Sequence, residues 1–201
     1  MTDPTPADPI APMSPPEPAP APAGSWAAAP PPVQAGPAGF VYADVPNRAI
    51  AYIIDAIILF VIDVVVFLVL AAIGLGNASF GIGSIVLAIV ALAISGAYFL
   101  YTWTAMRGTV GMKVLSMQVG NAGDGKTLTM EQAVRRWIAL GAPFSLAQVF
   151  SPIAGIGILV SLAALGWFIY LVYTTAKSPT KQGFHDVFAD TMVVKAARNV
   201  G

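Results

Sequence analysis

Residues 49–75 read AIAYIIDAIILFVIDVVVFLVLAAIGL, an apolar run interrupted only by Asp55 and Asp63. A helix needs roughly 20 residues to cross the hydrocarbon core of a bilayer, so this run is long enough to span it with some tilt. Residues 80–106 form a second run of the same kind, after the short uncharged segment 76–79. The two runs predict a helical hairpin inserted in a membrane.

The composition of the whole chain agrees with a membrane protein. Hydrophobic residues make up 57% of it and charged residues 10%, whereas a soluble domain carries about 25% charged residues. Ten basic residues balance ten acidic ones, which argues against a nucleic-acid-binding protein. The chain has no cysteine and one histidine, so disulfides and thiol catalysis are excluded. We expect no enzymatic activity, no cofactor and no metal site.

Residues 1–46 predict a disordered, cytoplasmic tail rich in proline and alanine. This segment holds most of the 17 prolines of the chain. Proline fixes φ and removes the backbone donor, so neither a helix nor a sheet runs easily through such a segment. An extended, partly polyproline II spacer is the simplest interpretation, and a ligand for a proline-binding partner is the alternative.

Two further membrane segments are predicted, at residues 133–150 and 153–175. Thr129 and Gln132 fit a capping box, which predicts that the third helix begins there. Its apolar part is short for a span, Pro143 is expected to kink it, and Ser151 with Pro152 is expected to end it. The residues alone leave open whether this segment crosses the membrane fully or re-enters.

Basic residues predict the orientation. Lys and Arg are concentrated in the segment 107–136 and after residue 176, and they are absent from the turns at 76–79 and 151–152. By the positive-inside rule, the 107–136 segment and both termini are cytoplasmic. The predicted fold class is therefore an all-α membrane protein with about four transmembrane helices.

A small cytoplasmic cap of loops and strands is predicted beside these helices. Residues 114–119 and 191–194 have strand character and could pair with each other. The turn signal Asn121-Ala122-Gly123-Asp124-Gly125 follows the first of them. We place the transmembrane domain at residues 47–196 and a short C-terminal tail at 197–201.

Charged side chains inside the first span are the main candidates for function. Arg48 and Asp55 are seven residues apart and lie on nearly the same helix face, so we expect Arg48 to extend toward Asp55. An ionised aspartate near the bilayer centre costs at least about 2.5–3.5 kcal/mol and marks a functional site by default. Asp55 and Asp63 could line a cation pathway, or they could join helices by hydrogen bonds. Possible partners for such bonds are Ser95, Tyr98, Thr102 and Ser161.

One nucleotide-binding pattern occurs in the sequence. Residues 120–127 read GNAGDGKT, which fits the P-loop consensus letter for letter. The helix that follows is predicted to enter the membrane, and no nucleotide-binding βαβ unit surrounds the loop. We therefore do not expect nucleotide binding here.

Three segments resemble the RDD family, bacterial membrane proteins named for one arginine and two aspartates. Residues 48–55, RAIAYIID, are similar to the opening of that family, with Arg48 and Asp55 at the positions of its arginine and first aspartate. Residues 107–115, RGTVGMKVL, are similar to its Gly-x-Thr-x-Gly-Lys segment, except that Met112 precedes the lysine. Residues 182–186, QGFHD, are similar to its Gln-Gly-x-His-Asp ending.

The resemblance implies a fold and a weak functional expectation. It places the second family aspartate at Asp186, with Asp63 as the rival assignment. It also implies a multi-pass bacterial plasma-membrane protein, some of whose relatives look like sodium/proton antiporters. A small transporter of H⁺, Na⁺ or another solute that uses Arg48 and Asp55 is one expectation. A non-catalytic scaffold that binds proteins or lipids through its tail or basic face is the other.

The basic face predicts contact with anionic lipid headgroups. Its members are Arg107, Lys113, Arg135, Arg136, Lys177 and Lys181. His185 next to Asp186 could form a pH-responsive pair, although a plain hydrogen-bonded turn is the simpler interpretation. So few ionisable groups lie in the spans that we also expect a homo-oligomer or a protein partner.

Overall fold

The computed structural model describes Gly36, residues 39–74, 82–150, Ile153 and 155–196, without the side chains of Ile82 and Ala196. The predicted turn at 76–79, most of the predicted tail and the segment 197–201 lie outside these residues. The described elements, in chain order, are β1 (Phe40–Tyr42), α1 (Val45–Ala72), α2 (Ile82–Ala105), α3 (Val110–Val114), β2 (Met117–Asn121), α4 (Met130–Phe150), α5 (Ile156–Lys177), α6 (Phe184–Phe188) and β3 (Thr191–Ala196).

Three of these helices are long and apolar enough to cross a membrane, as judged by length and composition. They are Val45–Ala72, Gly83–Ala105 and Ile156–Lys177. Their outer faces carry large exposed apolar side chains, such as Phe60 and Leu159, which are each 68% exposed. A continuous apolar face of this kind marks contact with lipid or another protein. A helix can expose it to lipid because its backbone polar groups are hydrogen-bonded within the helix. The protein is therefore a multi-pass membrane protein.

Helix α4 differs from these three because its first turns are charged. The predicted capping box is confirmed: the Thr129 amide donates to Gln132 Oε1 over 3.1 Å, and the Gln132 amide donates to Thr129 Oγ1 over 3.2 Å. The helix contains Pro143 and continues to Phe150. It packs between α2 and α5 along the bundle.

The predicted pairing of two strands is confirmed, but the first of them begins three residues later than predicted. Strands β2 and β3 are antiparallel, with Gln118 opposite Val194 and Val119 opposite Val193. Residues 114–116, which were expected to begin the strand, are not part of it. They end helix α3 and form the following turn, because Thr109 caps this helix by accepting from the Met112 amide.

Strand β1 corrects the predicted boundary of the N-terminal tail. Phe40–Tyr42 pairs with the other edge of β3, which gives a three-stranded sheet in the order β1-β3-β2. The next residue, Ala43, is fully buried, and α1 begins at Val45. Pro46 is tolerated there because the first helical residues need no intrahelical donor. The folded part therefore begins before residue 47, because these residues complete the sheet.

The tightest packing lies where the helix ends meet the sheet. Trp103, Met117, Val119 and Val193 are all fully buried and belong to one cluster. Farther along the helices, most side chains are only partly covered because their outer faces are directed to lipid. The sheet and the short helices thus form the predicted cap, and the charged candidate residues lie just beneath it.

Candidate functional site

Asp55 is buried at the point where α1 meets α2 and α3. Its carboxylate is 2% exposed and accepts three hydrogen bonds. The donors are Tyr98 Oη at 2.6 Å, Thr109 Oγ1 at 2.5 Å and the Gly111 amide at 2.8 Å. The predicted partner Tyr98 is confirmed. Asp55 thus joins three helices through neutral donors.

The glycine of the Thr-x-Gly segment makes this arrangement possible. A Cβ on Gly111 would lie 2.1 Å from the backbone oxygen of Ala51. Only glycine lets α3 approach the backbone of α1 so closely, and this approach brings the Gly111 amide to Asp55. Thr109 and Gly111 belong to a segment that resembles the family, but the sequence does not predict their contact with Asp55.

The expected pairing of Arg48 with Asp55 is wrong. Arg48 Nη1 lies 2.5 Å from Asp186 Oδ2, and Arg48 Nε donates to the carbonyl oxygen of Ala43 over 3.0 Å. The guanidinium therefore extends toward the cap and away from the bundle. The physical reason is that the fold brings a second carboxylate to the start of α1, whereas Asp55 is already satisfied by its three donors.

Arg136 also corrects an expectation, because it does not belong to the exposed basic face. It is 2% exposed, and its Nη1 donates to Asp186 Oδ1 and to Thr191 Oγ1. Its guanidinium lies over the ring of Trp103, 5.2 Å from the centroid. Successive helix residues point about 100° apart, so Arg135 faces outward, where it pairs with Glu131.

Asp186 is the centre of this ion cluster. It is fully buried, and besides the two arginines it accepts from the Gly183 amide over 3.1 Å. Burial by itself would raise the pKa of Asp186, but the charges of Arg136 and Arg48 outweigh it and hold the pKa well below its usual range. The carboxyl group is therefore ionised, and it ties α1, α4 and α6 together.

His185 lies beside the cluster, and its imidazole is neutral at physiological pH. Its Nε2 lies 3.5 Å from Asp186 Oδ2, and Nδ1 is buried without a partner among the described residues. Burial lowers the pKa of His185 to about 4, although the charge of Asp186 opposes this shift. A pH response of this residue would therefore occur in acid, well below neutral pH.

The three segments that suggested a family thus meet at one end of the bundle. Residues 42–190 match the sequence model of the RDD family, which is well over half of the chain. The chain belongs to the RDD family. The resemblance inferred from the sequence is confirmed, and comparisons with curated proteins and with solved structures gave no match.

In this RDD protein the contact with Arg48 favours Asp186 as the second aspartate of the family name. Asp63, the rival, lies two turns beyond Asp55 on α1 and takes no part in the ion cluster. One of its carboxylate oxygens is buried and has no hydrogen-bond partner among the described residues. Asp63 instead lines two neighbouring cavities of about 390 and 200 Å³ between α1, α2 and α4.

The remaining basic residues lie at the cap with different exposure. Lys113, Arg135 and Lys177 are exposed, as expected of a basic face. Arg107 and Lys181 are half-buried, and each donates to a backbone oxygen: Arg107 Nη2 to Gly125 over 2.5 Å, and Lys181 Nζ to Ala176 over 3.2 Å. These two residues therefore also hold loops of the cap in place.

The P-loop-like segment 120–127 uses several of its amides within the cap. The Gly123 and Lys126 amides donate to the side chains of Asn121 and Asp124, and the Gly125 amide donates to a backbone oxygen. Since a P-loop binds phosphate through such amides, this turn is a closed structural one. Within the described ranges no group of three or more potential metal-ligating residues occurs either.

Proposed function

We propose that this RDD protein is a small secondary transporter for H⁺ or Na⁺, with Asp63 as the carboxylate that binds the cation. The observation that carries the proposal is the setting of Asp63. One carboxylate oxygen of Asp63 is buried without a hydrogen-bond partner among the described residues, and the side chain lines two cavities. Oxygen-bearing side chains surround the same space, among them Ser84, Ser95, Ser145 and Gln148.

The cavities follow one another along the bundle, which supports a pathway. The two that contain Asp63 also share Phe60 and Gln148 as wall residues. The second of them shares Tyr52, Phe99 and Phe144 with a third cavity of about 180 Å³, which reaches the arginines beneath the cap. We propose that the Arg48–Asp186–Arg136 cluster closes the cytoplasmic end of this pathway.

This proposal moves the cation site away from Arg48 and Asp55. The bonds to Tyr98, Thr109 and Gly111 occupy both oxygens of Asp55. A carboxylate in that state would have to break several hydrogen bonds before it could coordinate an ion. Among the described residues, no donor competes for the buried oxygen of Asp63.

The proposed topology has four spans, with both termini cytoplasmic in a bacterial plasma membrane. Helix α4 has 21 residues, about 31 Å at 1.5 Å per residue; its first turns lie in the cap, and the roughly 14 residues after Arg136 are proposed to cross as a short span. It runs from the cap, where Arg136 lies, to the depth of Asp63, where Gln148 lies. The positive-inside rule then places the cap and its lysines in the cytoplasm.

Anionic lipid headgroups are the proposed partners of the exposed basic residues Lys113, Arg135 and Lys177. Each basic residue near an anionic surface contributes about 1 kcal/mol. A homo-oligomer is also proposed, because the large apolar outer faces of α1 and α5 suit contact with a second copy as well as with lipid. The scaffold alternative would use the basic face and the proline-rich tail, and most of that tail lies outside the described residues.

Cation flux into proteoliposomes tests the function. Wild type should couple a sodium gradient to proton movement, and Asp63→Asn should reduce the flux at least tenfold while Asp63→Glu retains part of it. Asp124→Asn is the matched control, because this aspartate lies in an exposed turn of the cap. Wild-type flux that survives in Asp63→Asn would exclude Asp63 as the site, and absence of wild-type flux under several cation gradients would exclude the transporter.

A further inference from the structure

The short helix α6 has its charged and apolar faces reversed relative to a helix at a water-facing surface. His185 and Asp186 point inward and are buried in the ion cluster. Phe184, Val187 and Phe188 point outward and are 37%, 62% and 47% exposed. Residues three and four apart share one side of a helix, so these three apolar side chains form one surface, the outer face of α6. In water, a helix would place its apolar side inward and its charges outward.

Contacts with α5 place this outer face beside the apolar part of a membrane span. The Phe184 ring centroid lies 5.5 Å from that of Trp167 and 5.8 Å from that of Tyr170. These two residues lie about 15 and 10 Å along the helix axis before the end of α5 at Lys177. The Phe184 amide donates to Thr174 Oγ1 over 3.1 Å. The chain after α5 therefore turns back, and the Phe184 ring lies toward the middle of that helix.

Aromatic rings connect the outer face of α6 with the exposed side of α5. The rings of Phe184 and Phe188 are stacked with 5.9 Å between their centroids, and Tyr170 and Tyr173 of α5 are 44% and 59% exposed. Tyrosine is enriched where a membrane meets water. Lys177 Nζ lies 5.9 Å from the centroid of the Tyr173 ring, and a lysine at a helix end can extend its ammonium to the lipid phosphates. The surface therefore has the composition of a membrane interface.

We propose that α6 is a membrane-interface anchor, with its outer face immersed at the boundary between the lipid headgroups and the acyl chains. Its partner is the phospholipid bilayer, because this face continues the lipid-facing surface of α5. Amphipathic helices bury their apolar face about 5–10 Å into this boundary. Since Asp186 belongs to the same helix, the immersion also sets the depth of the ion cluster in the membrane. The proposal depends neither on cation transport nor on the side of the membrane that the cap faces.

Site-directed spin labelling measures this depth, since the chain has no native cysteine. A nitroxide on Val187→Cys in phosphatidylcholine nanodiscs should collide more often with oxygen, which partitions into lipid, than with a water-soluble nickel complex. Leu165→Cys is the reference in lipid, because Leu165 is 53% exposed near the middle of α5. Asp124→Cys is the reference in water, because Asp124 lies in an exposed turn of the cap. We expect the label at position 187 to lie at a depth between these two.

Two results of this experiment would overturn the proposal. A nickel accessibility equal to that of Asp124→Cys would mean that α6 faces water. Low accessibility to both oxygen and nickel would mean that protein, such as a second copy of the chain, covers the outer face. Phe188→Cys repeats the measurement on the same face if Val187→Cys folds poorly. Because the surface is apolar, addition of anionic phosphatidylglycerol should leave the measured depth unchanged, and insertion that required this lipid would contradict an apolar anchor.

Substitutions on the outer face test its contribution to folding. Val187→Asp should lower the melting temperature in nanodiscs, because a carboxylate is poorly accommodated at the acyl boundary. Val187→Trp should leave the melting temperature unchanged or raise it, since tryptophan favours the membrane interface. Ala122→Asp and Ala122→Trp are the matched controls in an exposed turn of the cap, where the two substitutions should differ little. A melting temperature of Val187→Asp equal to or above that of Val187→Trp would contradict the proposed location.

Discussion

Asp55 and Asp63 lie on the same apolar helix, yet their surroundings differ. Asp55 is enclosed by three donors from two other helices. Asp63 is half-exposed toward a cavity and keeps one oxygen without a partner among the described residues. Asp55 is therefore suited to a structural role, and Asp63 to the reversible binding of a ligand.

Asp55→Asn should destabilise the protein far more than Asp63→Asn. An amide at position 55 would direct its NH₂ group at one of the donors that now bond to the carboxylate, so at least one bond is lost and a donor is left buried. The expected loss is about 2–4 kcal/mol of unfolding free energy. Thermal unfolding in detergent measures it, and equal melting temperatures for the two variants would contradict the assigned roles.

The buried imidazole of His185 predicts a loss of stability in mild acid. In the unfolded chain its pKa is near 6.5, and burial lowers it to about 4 in the folded protein. Between these values the unfolded state binds more protons, so stability falls as the pH decreases from about 6.5 to about 4. The total effect is at most about 3 kcal/mol.

Unfolding followed across this pH range checks the effect, with His185→Gln as the comparison. The variant should lose most of the slope between pH 6.5 and 4. The free energy of unfolding of the variant should still decrease as the pH falls through the ordinary pKa range of aspartate and below it. In that range the unfolded chain binds a proton at Asp186, whereas the folded protein keeps this carboxylate ionised. An unchanged slope in the variant would exclude His185 as the cause.

At the level of elements, α4 is the helix whose course decides the topology. It packs along α2 and α5 like a full member of the bundle, although its first turns are too polar for lipid. The capping box and the Arg136–Asp186 contact fix those turns in the cap. The apolar part that remains must therefore carry the chain across the bilayer, or end within it.

Single cysteines distinguish these two courses, and the chain has no native cysteine. Ile153→Cys lies just after α4, and Asp124→Cys and Lys181→Cys lie in the cap. If α4 crosses, a membrane-impermeant thiol reagent outside intact cells should label only Ile153→Cys, whereas the other two should react only after permeabilisation. Protection of Ile153→Cys on both sides of the membrane would indicate a re-entrant α4.

At the level of the whole molecule, the cap joins segments from both ends of the folded region. The central strand β3 is bonded on one side to β1 and on the other to β2. Arg48 from the first helix and Asp186 from the last meet beneath it. The bundle is therefore held at one end by long-range contacts, while elsewhere the helices rely on lipid and on helix packing.

Truncations at the N-terminus should reveal this dependence. Deletion of residues 1–35 should leave folding and any transport unchanged, because the described contacts begin after it. Deletion of residues 1–43 should destabilise the protein by several kcal/mol, since it removes the β1 ladder and the Ala43 amide that donates to Val193. The two truncated proteins are compared by their monodispersity in detergent and by their melting temperatures. Equal stability would mean that β1 is dispensable for folding.

Several features followed from the sequence because they are local. The apolar runs predicted α1, α2 and α5, and Thr129 with Gln132 predicted the start of α4. The family resemblance rested on short ordered segments and was confirmed. Each of these signals lies within one element, where hydropathy, periodicity and capping chemistry operate.

Which charges meet was decided by the tertiary structure. Spacing along α1 suggested that Arg48 and Asp55 pair, but Arg48 pairs with a carboxylate 138 residues away. Arg136 was expected on the exposed basic face, but the cap buries it. The residues of β1, Phe40–Tyr42, favour a strand, but the strand is only three residues long and follows a proline-rich segment, so it was assigned to the tail. Charged side chains pair where helix ends lie close together in the folded protein. The helical periodicity of one segment does not predict which helix ends these are. The sequence by itself thus determined a membrane-spanning RDD bundle, and the fold assigned Asp55 to structure, Asp186 to the ion cluster and Asp63 to the cavities.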